Sequence, residues 1–578
     1  MILQALTQLY DALVQQSKIS APGWSKVKIS YALCLDETGA LTYVMPTQHE
    51  EQVGKKSQLR PNLLKLPAPV KRTVGVLPNF LWDNSSYLLG VDEKGKPERS
   101  KECFAASVKF HHALLDGIDT PVARAILHFF DTWQPENAQS HPALADCWQD
   151  IIKCCNLTFQ VNGIFAREDP SICSVWTLHY EKAEGPTTQC LVTGEQSVAE
   201  PVHPSIKGVA GAQSSGAALV SFNAPAFCSY GKEQNLNAPI GKYAAFAYTA
   251  ALNYLLADRD NVHRIGDTTV VCWAEGAEPQ YDQFVGFSIF GDNLPEAWTA
   301  ADLLDAMKKL SQGLPCENLG LNPERSFYIL GLAPNFARLS VRFFYRDSFG
   351  NLIKNVNAHQ ERLKIAGNSY QIMPLWVLLR ETANQNTTDK APSPVMAGAV
   401  ARAIFTGGLY PASLLEAVML RIRAEREITP GRAAILKAYY LKLNSVRGNN
   451  IQCPEEVLTV GLNENSTNIP YTLGRLFAVY EEIQERANPG INATIRDKYF
   501  NSAAATPAVI FPILDNLSMK HLRKLDVGFR IAKEAQIGKL KNVMGESYPV
   551  RLSLPEQGSF NLGYYHQKQF RYTKKEDK

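Results

Sequence analysis

Apolar residues near the amino terminus recur at the spacing of one helical face. They lie three or four positions apart with polar residues between them, at Ile2, Leu6, Leu9 and Leu13. This spacing predicts an amphipathic helix. The stretch KVKISYALCLDETGALTYVMP follows, and the turn-forming residues Asp36–Gly39 at its centre predict a β-hairpin.

The middle of the chain contains segments with helical periodicity and segments typical of strands. Residues 102–133 predict helices, whereas the β-branched and aromatic residues near 158–180 and 268–274 predict strands. The run KYAAFAYTAALNYLLADR is apolar nearly all round, which predicts a buried helix. Residues 55–72 show no regular periodicity.

A strand pair is predicted from Ser326 onward. In ARLSVRFFYR, apolar and polar residues alternate, and a period of two places the apolar set on one face of a strand. Arg338, Arg342 and Arg346 share the opposite register. Two interpretations stay open here, a solvated face and a rib of cations that faces phosphates.

The pattern becomes helical after a polar, proline-containing linker at residues 383–394. Apolar residues then recur at helical spacing within residues 413–422 and 473–483, and a third helix is predicted over 518–542. We therefore predict an α+β fold, with a mixed α/β N-terminal large domain at residues 1–385 and a C-terminal α-helical bundle at residues 386–578.

Composition narrows the class of protein. A chain of 578 residues is long enough for two or three domains, and 45% hydrophobic with 20% charged residues is ordinary for a globular protein. The first residues show the pattern of an amphipathic helix and not that of a signal peptide, and no apolar run is long enough to span a membrane, so we expect a cytoplasmic protein without a membrane partner. The eleven cysteines contain no C-x-x-C pair, and we expect no metal and no cofactor.

Charge is distributed unevenly although the net charge is only +3. Residues 55–72 contain six Lys or Arg and no acid, and residues 518–578 contain thirteen Lys or Arg against six Asp or Glu. A charge run is most often a solvated face. Together with the arginines of residues 338–346, however, these regions favour a protein that binds a polyanion.

Nucleotide-binding and hydrolase motifs are incomplete in the stretch GVAGAQSSGAALVSFN. A phosphate-binding loop requires Lys and Ser or Thr after its second glycine, where this chain has Ala217 and Ala218. A nucleophile elbow requires glycine two positions before the serine, where Ser214 is preceded by Ala212. These mismatches argue against both activities.

A metal-dependent nuclease would need clustered carboxylates and histidines. The stretch FHHALLDG offers His112 and Asp116, four residues apart on one predicted helical face. The explanation we favour for this pair is a partly buried helix with a polar edge, so the case for catalysis is weak. We expect a protein that is not an enzyme, with a metal-dependent nuclease or a hydrolase as the alternative.

Residues 203–239 instead carry the side chains of a recognition loop. Small residues let a backbone approach phosphates, and amide side chains can both donate to and accept from base edges. The candidates are Gln213, Ser214, Ser215, Asn223 and Asn237, with Lys207 and Lys232 beside them. The residues alone leave two possibilities open, a nucleic-acid contact and a glycine-rich turn that leads into the buried helix.

The same region resembles a known family. The run CLVTGEQSVAEPVHPSIKGVAGAQSSGAALVSFNAPAFCSYGKEQNLNAPI is similar to the large subunit of the type I-C CRISPR surveillance complex, Cascade. MILQALTQLYDAL, LAPNFARLSVRFF, YTLGRLFAVYEEIQ and FNLGYYHQKQF resemble the same family, so the likeness extends over essentially the whole chain.

This resemblance implies a non-catalytic subunit of an RNA-guided DNA-binding complex. Such a subunit recognises the protospacer-adjacent motif (PAM) in double-stranded DNA, promotes R-loop formation and steadies the displaced single strand. The partners it implies are the guide RNA, the Cascade backbone and guide-5′-end subunits, a helicase–nuclease, and a small subunit translated from the same gene, for which Met419 is an in-frame candidate start. A purely structural scaffold is the alternative.

The resemblance also assigns roles to residues. Gln213, Ser214, Ser215, Asn223 and Asn237 are expected at the duplex beside the PAM, with Gln213 as a wedge or minor-groove reader. Lys207 and Lys232 are expected to bind DNA there. The expected phosphate contacts are Lys55, Lys56, Lys71, Arg72, Arg338, Arg342, Arg523, Lys524 and Arg530.

Overall fold

The computed structural model describes residues 1–53, 56–70, 75–92, 97–182, 187–258, 262–384, 387, 391–448 and 452–572, with the backbone alone at 51–53, 56–58 and 181. The chain divides into two compact units. The first contains residues 1–204 and 220–252, and the second contains residues 205–219 and 253–578.

The first unit combines short strands with helices. Its strands are β1 (Trp24–Ile29), β2 (Tyr31–Leu35), β3 (Leu41–Pro46), β4 (His49–Val53), β5 (Lys56–Arg60), β6 (Asn62–Pro67), β7 (Trp82–Asn84), β8 (Asn156–Val161), β9 (Ile164–Phe165), β10 (Thr187–Gln189) and β11 (Gln196–Val198). Its helices are α1 (Ile2–Gln15), α2 (Ser85–Leu88), α3 (Pro97–Leu115), α4 (Pro121–Thr132), α5 (Trp148–Ile151), α6 (Pro170–Glu181) and most of α7 (Lys242–Ala257).

A five-stranded sheet organises the core of this unit. The strand order is β3-β2-β8-β7, with β9 on β8, and β2 and β8 run parallel. A parallel pair needs a crossover, which here contains helices α2 to α5. Leu33 and Phe159 are fully buried on the sheet, and Phe129 of α4 packs edge-on against Phe159.

The second unit has one sheet followed by helices. Its strands are β12 (Val262–Ile265), β13 (Thr268–Ala274), β14 (Ser326–Asn335) and β15 (Arg338–Ser348). Its helices are α8 (Pro279–Val285), α9 (Ala300–Ser311), α10 (Phe349–Leu363), α11 (Leu375–Arg380), α12 (Pro394–Thr406), α13 (Ala412–Glu425), α14 (Pro430–Arg447), α15 (Ile469–Ala487), α16 (Ile495–Ala505), α17 (Pro507–Leu522), α18 (Val527–Met544) and α19 (Leu554–Gln569). The α+β class predicted from the sequence is confirmed.

The sheet and the helices of the second unit share one hydrophobic core. The four strands form an antiparallel meander in chain order. Ile329 of β14, Val400 of α12 and Leu476 of α15 belong to one continuous cluster of buried side chains. The division between the two compact units therefore does not coincide with the domain boundary expected at residue 385, because residues on both sides of it contribute to that cluster.

Several elements predicted from the pattern are present. Helix α1, the hairpin of β2 and β3, helices α3 and α4, strand β13, helix α7 and the β14–β15 pair all occur where they were expected. Within the described ranges, every helix is either too short or too polar to traverse a bilayer.

Two local predictions were wrong, and a segment without periodicity forms strands. The described part of 55–72, for which the pattern predicted no element, forms β5 and β6, and β6 pairs antiparallel with β1. Residues 170–181 form helix α6 because Asp169 caps its first turn, accepting from the amides of Ser171 at 2.9 Å and Ile172 at 3.2 Å. The helix expected over 518–542 is two helices, since Asp526 caps α18 by accepting from the amide of Phe529 at 2.9 Å.

Two glycines permit the closest helix contact in the C-terminal region. A Cβ on Gly474 of α15 would overlap the carbonyl oxygen of Phe560 and lie 2.7 Å from the amide nitrogen of Tyr564 in α19. A Cβ on Gly563 of α19 would likewise overlap the carbonyl oxygen of Tyr471 in α15. The two helix backbones therefore touch directly, and each glycine is required by the other helix.

We expect Gly474→Ala to destabilise the protein by about 1–3 kcal/mol or more, because the new methyl group must push the two backbones apart. The measurement is the free energy of unfolding in urea. Gly538→Ala in α18 is the matched control, because no atom lies within 4 Å of its Cβ position. That control should gain up to about 1 kcal/mol from helix propensity. Equal stability of the two variants would contradict the close crossing.

Candidate nucleic-acid interface

Residues 205–219, the glycine loop, are tied to the second unit at several points. Ile206 and Ala217 exchange two backbone hydrogen bonds of 2.9 Å. Ala218 donates to the carbonyl of Ala337 at 3.0 Å and accepts from the amide of Leu339 at 2.9 Å, which joins the loop to the start of β15. The amide of Ala210 donates to Thr269 Oγ1 of β13 at 3.0 Å. The base of the loop is thus held by the sheet.

Steric contacts explain why this loop has glycine at two positions. Gly216 has a φ of +99°, and a Cβ there would lie 2.7 Å from Ser205 Cβ and 2.9 Å from the Ile206 carbonyl oxygen. Gly208 has a φ of +93°, with Leu256 Cβ 3.1 Å from its Cβ position. Only glycine tolerates both the left-handed backbone and the close approach.

The tip of the glycine loop presents unused polar groups to solvent. The amide of Gly216 donates to the carbonyl of Gln213 at 2.9 Å, which closes a tight turn. Gln213, Ser214 and Ser215 are exposed, and their side chains make no hydrogen bond to any described residue. Lys207 is exposed nearby in the sequence. The turn therefore holds an amide and two hydroxyls outward on a tethered frame.

The next segment, residues 220–241, is built into the first unit. Asn237 accepts from the amide of Ser229 at 2.8 Å and donates to the carbonyls of Lys232 at 3.0 Å and Gln234 at 2.9 Å. All the groups of this amide stabilise the local turn. Asn223 and Lys232 have exposed side chains.

A buried histidine anchors that segment to α7. His203 Nδ1 lies 2.6 Å from the hydroxyl of Tyr248, and its Nε2 contacts the side-chain amide of Asn235. Asn235 also donates to the carbonyl of Glu200 at 2.7 Å. Burial lowers the pKa of His203 from 6.5 to about 4, so the ring is neutral near pH 7.

The arginines of β15 do not form a continuous rib. The pairing with β14 shifts between Gly331 and Leu332, and Arg342 is the extra residue of this bulge. Arg342 forms an ion pair with Asp267 at 2.8 Å, whereas Arg346 lies over the ring of Tyr328 at 5.9 Å. Arg338 is half-buried at the beginning of the strand. The single register expected for these arginines is therefore interrupted.

The predicted C-terminal cations lie around the break between α17 and α18. Arg523 and Lys524 are exposed, and Lys524 Nζ donates to Asn488 Oδ1 at 3.2 Å. Arg530 is half-buried in the first turn of α18. Neither arginine pairs with a carboxylate among the residues the structure describes. Lys55, Lys71 and Arg72 lie outside the described residues, as does the side chain of Lys56.

The groups considered for catalysis are used in structural contacts. His112 Nδ1 lies 3.0 Å from Asp116 and its Nε2 lies 2.9 Å from Asp131, which raises the pKa of this half-exposed histidine. Its neighbour His111 is buried and accepts from the amide of Leu81 at 3.0 Å. Over the described ranges, no three His, Cys, Asp or Glu side chains are grouped as metal ligands would be.

Sequence reasoning missed two exposed aromatic residues beside the predicted polar ones. Tyr230 is 99% exposed with a φ of +55°, and Phe336 is 91% exposed with a φ of +53°. Periodicity cannot reveal them because both occupy turns. The available signal was a large aromatic residue inside turn-forming sequence, in SYGK and PNFAR.

The comparisons with known proteins identify the family. A family model described as CRISPR-associated protein (Cas_Csd1) matches residues 6–572, which is nearly the whole chain. The chain belongs to this family of CRISPR-associated proteins. Membership confirms the expectation of a Cascade-type CRISPR protein. The comparison with individually curated proteins found no match.

Acidification is expected to loosen residues 225–240, because His203 must stay neutral to remain buried. Its contribution is complete above the unfolded pKa of about 6.5 and is lost as the pH falls towards 4. The loss expected from this one group is about 2 kcal/mol. The test is the hydrogen-exchange protection factor of the segment, which is corrected for the intrinsic pH dependence of amide exchange and is measured between about pH 7.5 and 4.5.

His203→Asn is the control for this measurement, because it removes the titrating group and should flatten the pH dependence of the protection factors in residues 225–240. Protection factors of the wild-type segment that stay constant down to about pH 5 would rule out the linkage.

Proposed function

We propose that this chain is the large subunit of a type I-C Cascade that recognises the PAM in double-stranded DNA and promotes R-loop formation. The observation that carries this proposal is the tip of the glycine loop. Gln213, Ser214 and Ser215 project from a tethered turn, and no described residue satisfies their side chains. Such groups are suited to brief hydrogen bonds with base edges.

The rigidity of the loop supports this role. A reader of base edges must hold its donors and acceptors in position before the DNA arrives, since ordering them on binding costs free energy. The backbone bonds from Ala210, Ala217 and Ala218 to neighbouring backbone and side-chain groups supply that order. The glycine loop is therefore the inspecting element, with Lys207 as a phosphate contact beside it.

The other parts of the function follow from the cationic segments. Arg523, Lys524 and Arg530 bind the displaced or target strand through phosphates, which is a sequence-independent contribution. Asn237 acts by shaping its turn, so Asn223 and Lys232 are the groups of that segment that contact DNA. The subunit is not an enzyme, and it recruits a separate helicase–nuclease. Its further partners are the guide RNA, the backbone and guide-5′-end subunits, and the small subunit from the same gene.

Gln213→Ala is expected to weaken PAM-containing duplex binding by about tenfold, because one good base-edge contact contributes about 1–3 kcal/mol. Binding to duplex without a PAM should change little. The measurement is a competition between PAM and non-PAM duplexes for the assembled complex. Gln312→Ala is the matched control, because Gln312 is also an exposed glutamine.

A change in assembly with unaltered PAM preference would instead support the purely structural scaffold. A wild-type complex that does not distinguish the two duplexes would refute the proposed function.

Lys207→Ala should weaken binding equally for both duplexes, since a phosphate contact carries no sequence information. The slope of log affinity against log salt should decrease by about one, because the variant neutralises one phosphate fewer. Lys308→Ala, at an exposed lysine on α9, should leave the slope unchanged. A weakening that is confined to the PAM duplex would show that Lys207 reads a base.

A further inference from the structure

The hairpin that joins β14 to β15 ends in an exposed aromatic side chain. Asn335 pairs with Arg338, so Phe336 and Ala337 alone form the turn. Phe336 is 91% exposed. Its ring therefore gains almost nothing from burial within this chain.

The backbone at the same residue is also unfavourable for phenylalanine. Phe336 has a φ of +53°, whereas Ala337 does not have a positive φ. A two-residue hairpin turn with this pattern has glycine as the preferred first residue, because a Cβ is strained in the left-handed region. The exposed ring adds almost no stability, and the positive φ makes any side chain with a Cβ unfavourable at this residue. The presence of phenylalanine therefore points to a role outside the folding of this chain.

The hairpin and the glycine loop share one frame within the second unit. Ala218 of the loop bonds to Ala337 and Leu339 on either side of Arg338, at 3.0 and 2.9 Å. A Cβ on Gly211 would lie 3.3 Å from Pro334 of the hairpin. The turn that carries Phe336 is therefore attached directly to the loop that carries Gln213.

Charge identifies the kind of partner. The glycine loop and strands β14 and β15 contain four cations, Lys207, Arg338, Arg342 and Arg346, and one acid, Asp347 at the far end of β15. Arg342 shares its charge with Asp267. Arg338 follows Phe336 by two residues, and Lys207 belongs to the loop that is attached to the hairpin. An exposed ring on a frame with more cations than acids fits a polyanion with stackable rings better than an apolar protein groove, because aromatic faces stack on any base while cations bind the phosphates.

We propose that Phe336 stacks on a nucleobase at the edge of the opened duplex, next to the position that the glycine loop inspects. This inference rests on the proposed function for the site of binding. The ring occupies the face of the first unpaired base, which would otherwise lose its stacking partner when the duplex separates. An aromatic wedge of this kind holds a base step open without reading its sequence.

The test couples the side chain to the base it stacks on. The assembled complex is titrated with duplexes that contain a PAM and a pre-opened bubble, with either a normal base or an abasic site at each of the first bubble positions. Phe336→Gly should bind the normal bubble about tenfold more weakly than wild type does. At one abasic position the wild type and the variant should bind equally, because no base remains to stack.

Two further variants separate stacking from folding. Phe336→Tyr should bind the normal bubble more tightly than the abasic bubble, as wild type does. Phe336→Gly should unfold at the same temperature as wild type or a higher one, because the backbone strain at this residue is relieved. Tyr43→Ala is the matched control, since Tyr43 is an exposed aromatic residue within strand β3. It should leave binding to every bubble unchanged.

The inference fails if Phe336→Gly weakens binding to all bubbles equally, if it has no effect, or if it prevents the complex from assembling, which would indicate a protein contact. If the complex still prefers the PAM duplex but the effect of Phe336→Gly is the same at every abasic position, only the stacking role is refuted. Coupling to a base in a complex without PAM preference refutes the proposed function while the stacking role stands.

Discussion

The direct contact between helices α15 and α19 is the constraint on which the C-terminal region depends. Residues 471–481 of α15 and 558–567 of α19 are buried without interruption, so both helices are central rather than peripheral. Gly474 and Gly563 permit their backbones to touch. The neighbouring helices share one hydrophobic core with this pair. Any separation of α15 and α19 would therefore open that core.

Polar side chains also have to be satisfied at such a contact. Glu481 is only 1% exposed, and it accepts from the hydroxyls of Tyr564 at 2.6 Å and Thr494 at 2.9 Å. Tyr471 lies 2.9 Å from the buried ring of His566 across the two helices. These pairings give the crossing a single register, since a slip along either helix would leave a buried polar group without a partner.

The candidate interface follows a different design, in which the backbone is ordered and the side chains remain unsatisfied. Backbone groups of the glycine loop form hydrogen bonds to the sheet, while the side chains of Gln213, Ser214 and Ser215 are exposed. In the β14–β15 hairpin, the ring of Phe336 is likewise exposed and its backbone has a positive φ. Features that reduce stability in a well-ordered frame are typical of binding sites.

Local pattern determined much of this protein, because helices and strands are encoded by periods that a single segment contains. Helix α1, the β2–β3 hairpin and the α+β class were predicted in this way. The family resemblance rests on motifs whose glycines, in YTLGRLF and FNLGYYH, are explained only by the contact between α15 and α19. Tertiary structure alone decided the register shift at Arg342, the use of Asn237 within its own turn and the exposure of Phe336. The register shift depends on a partner strand, and the exposure of Phe336 depends on the packing around the hairpin. Asn237 bonds to residues three to eight positions away without any repeating spacing, so no local period records these three features.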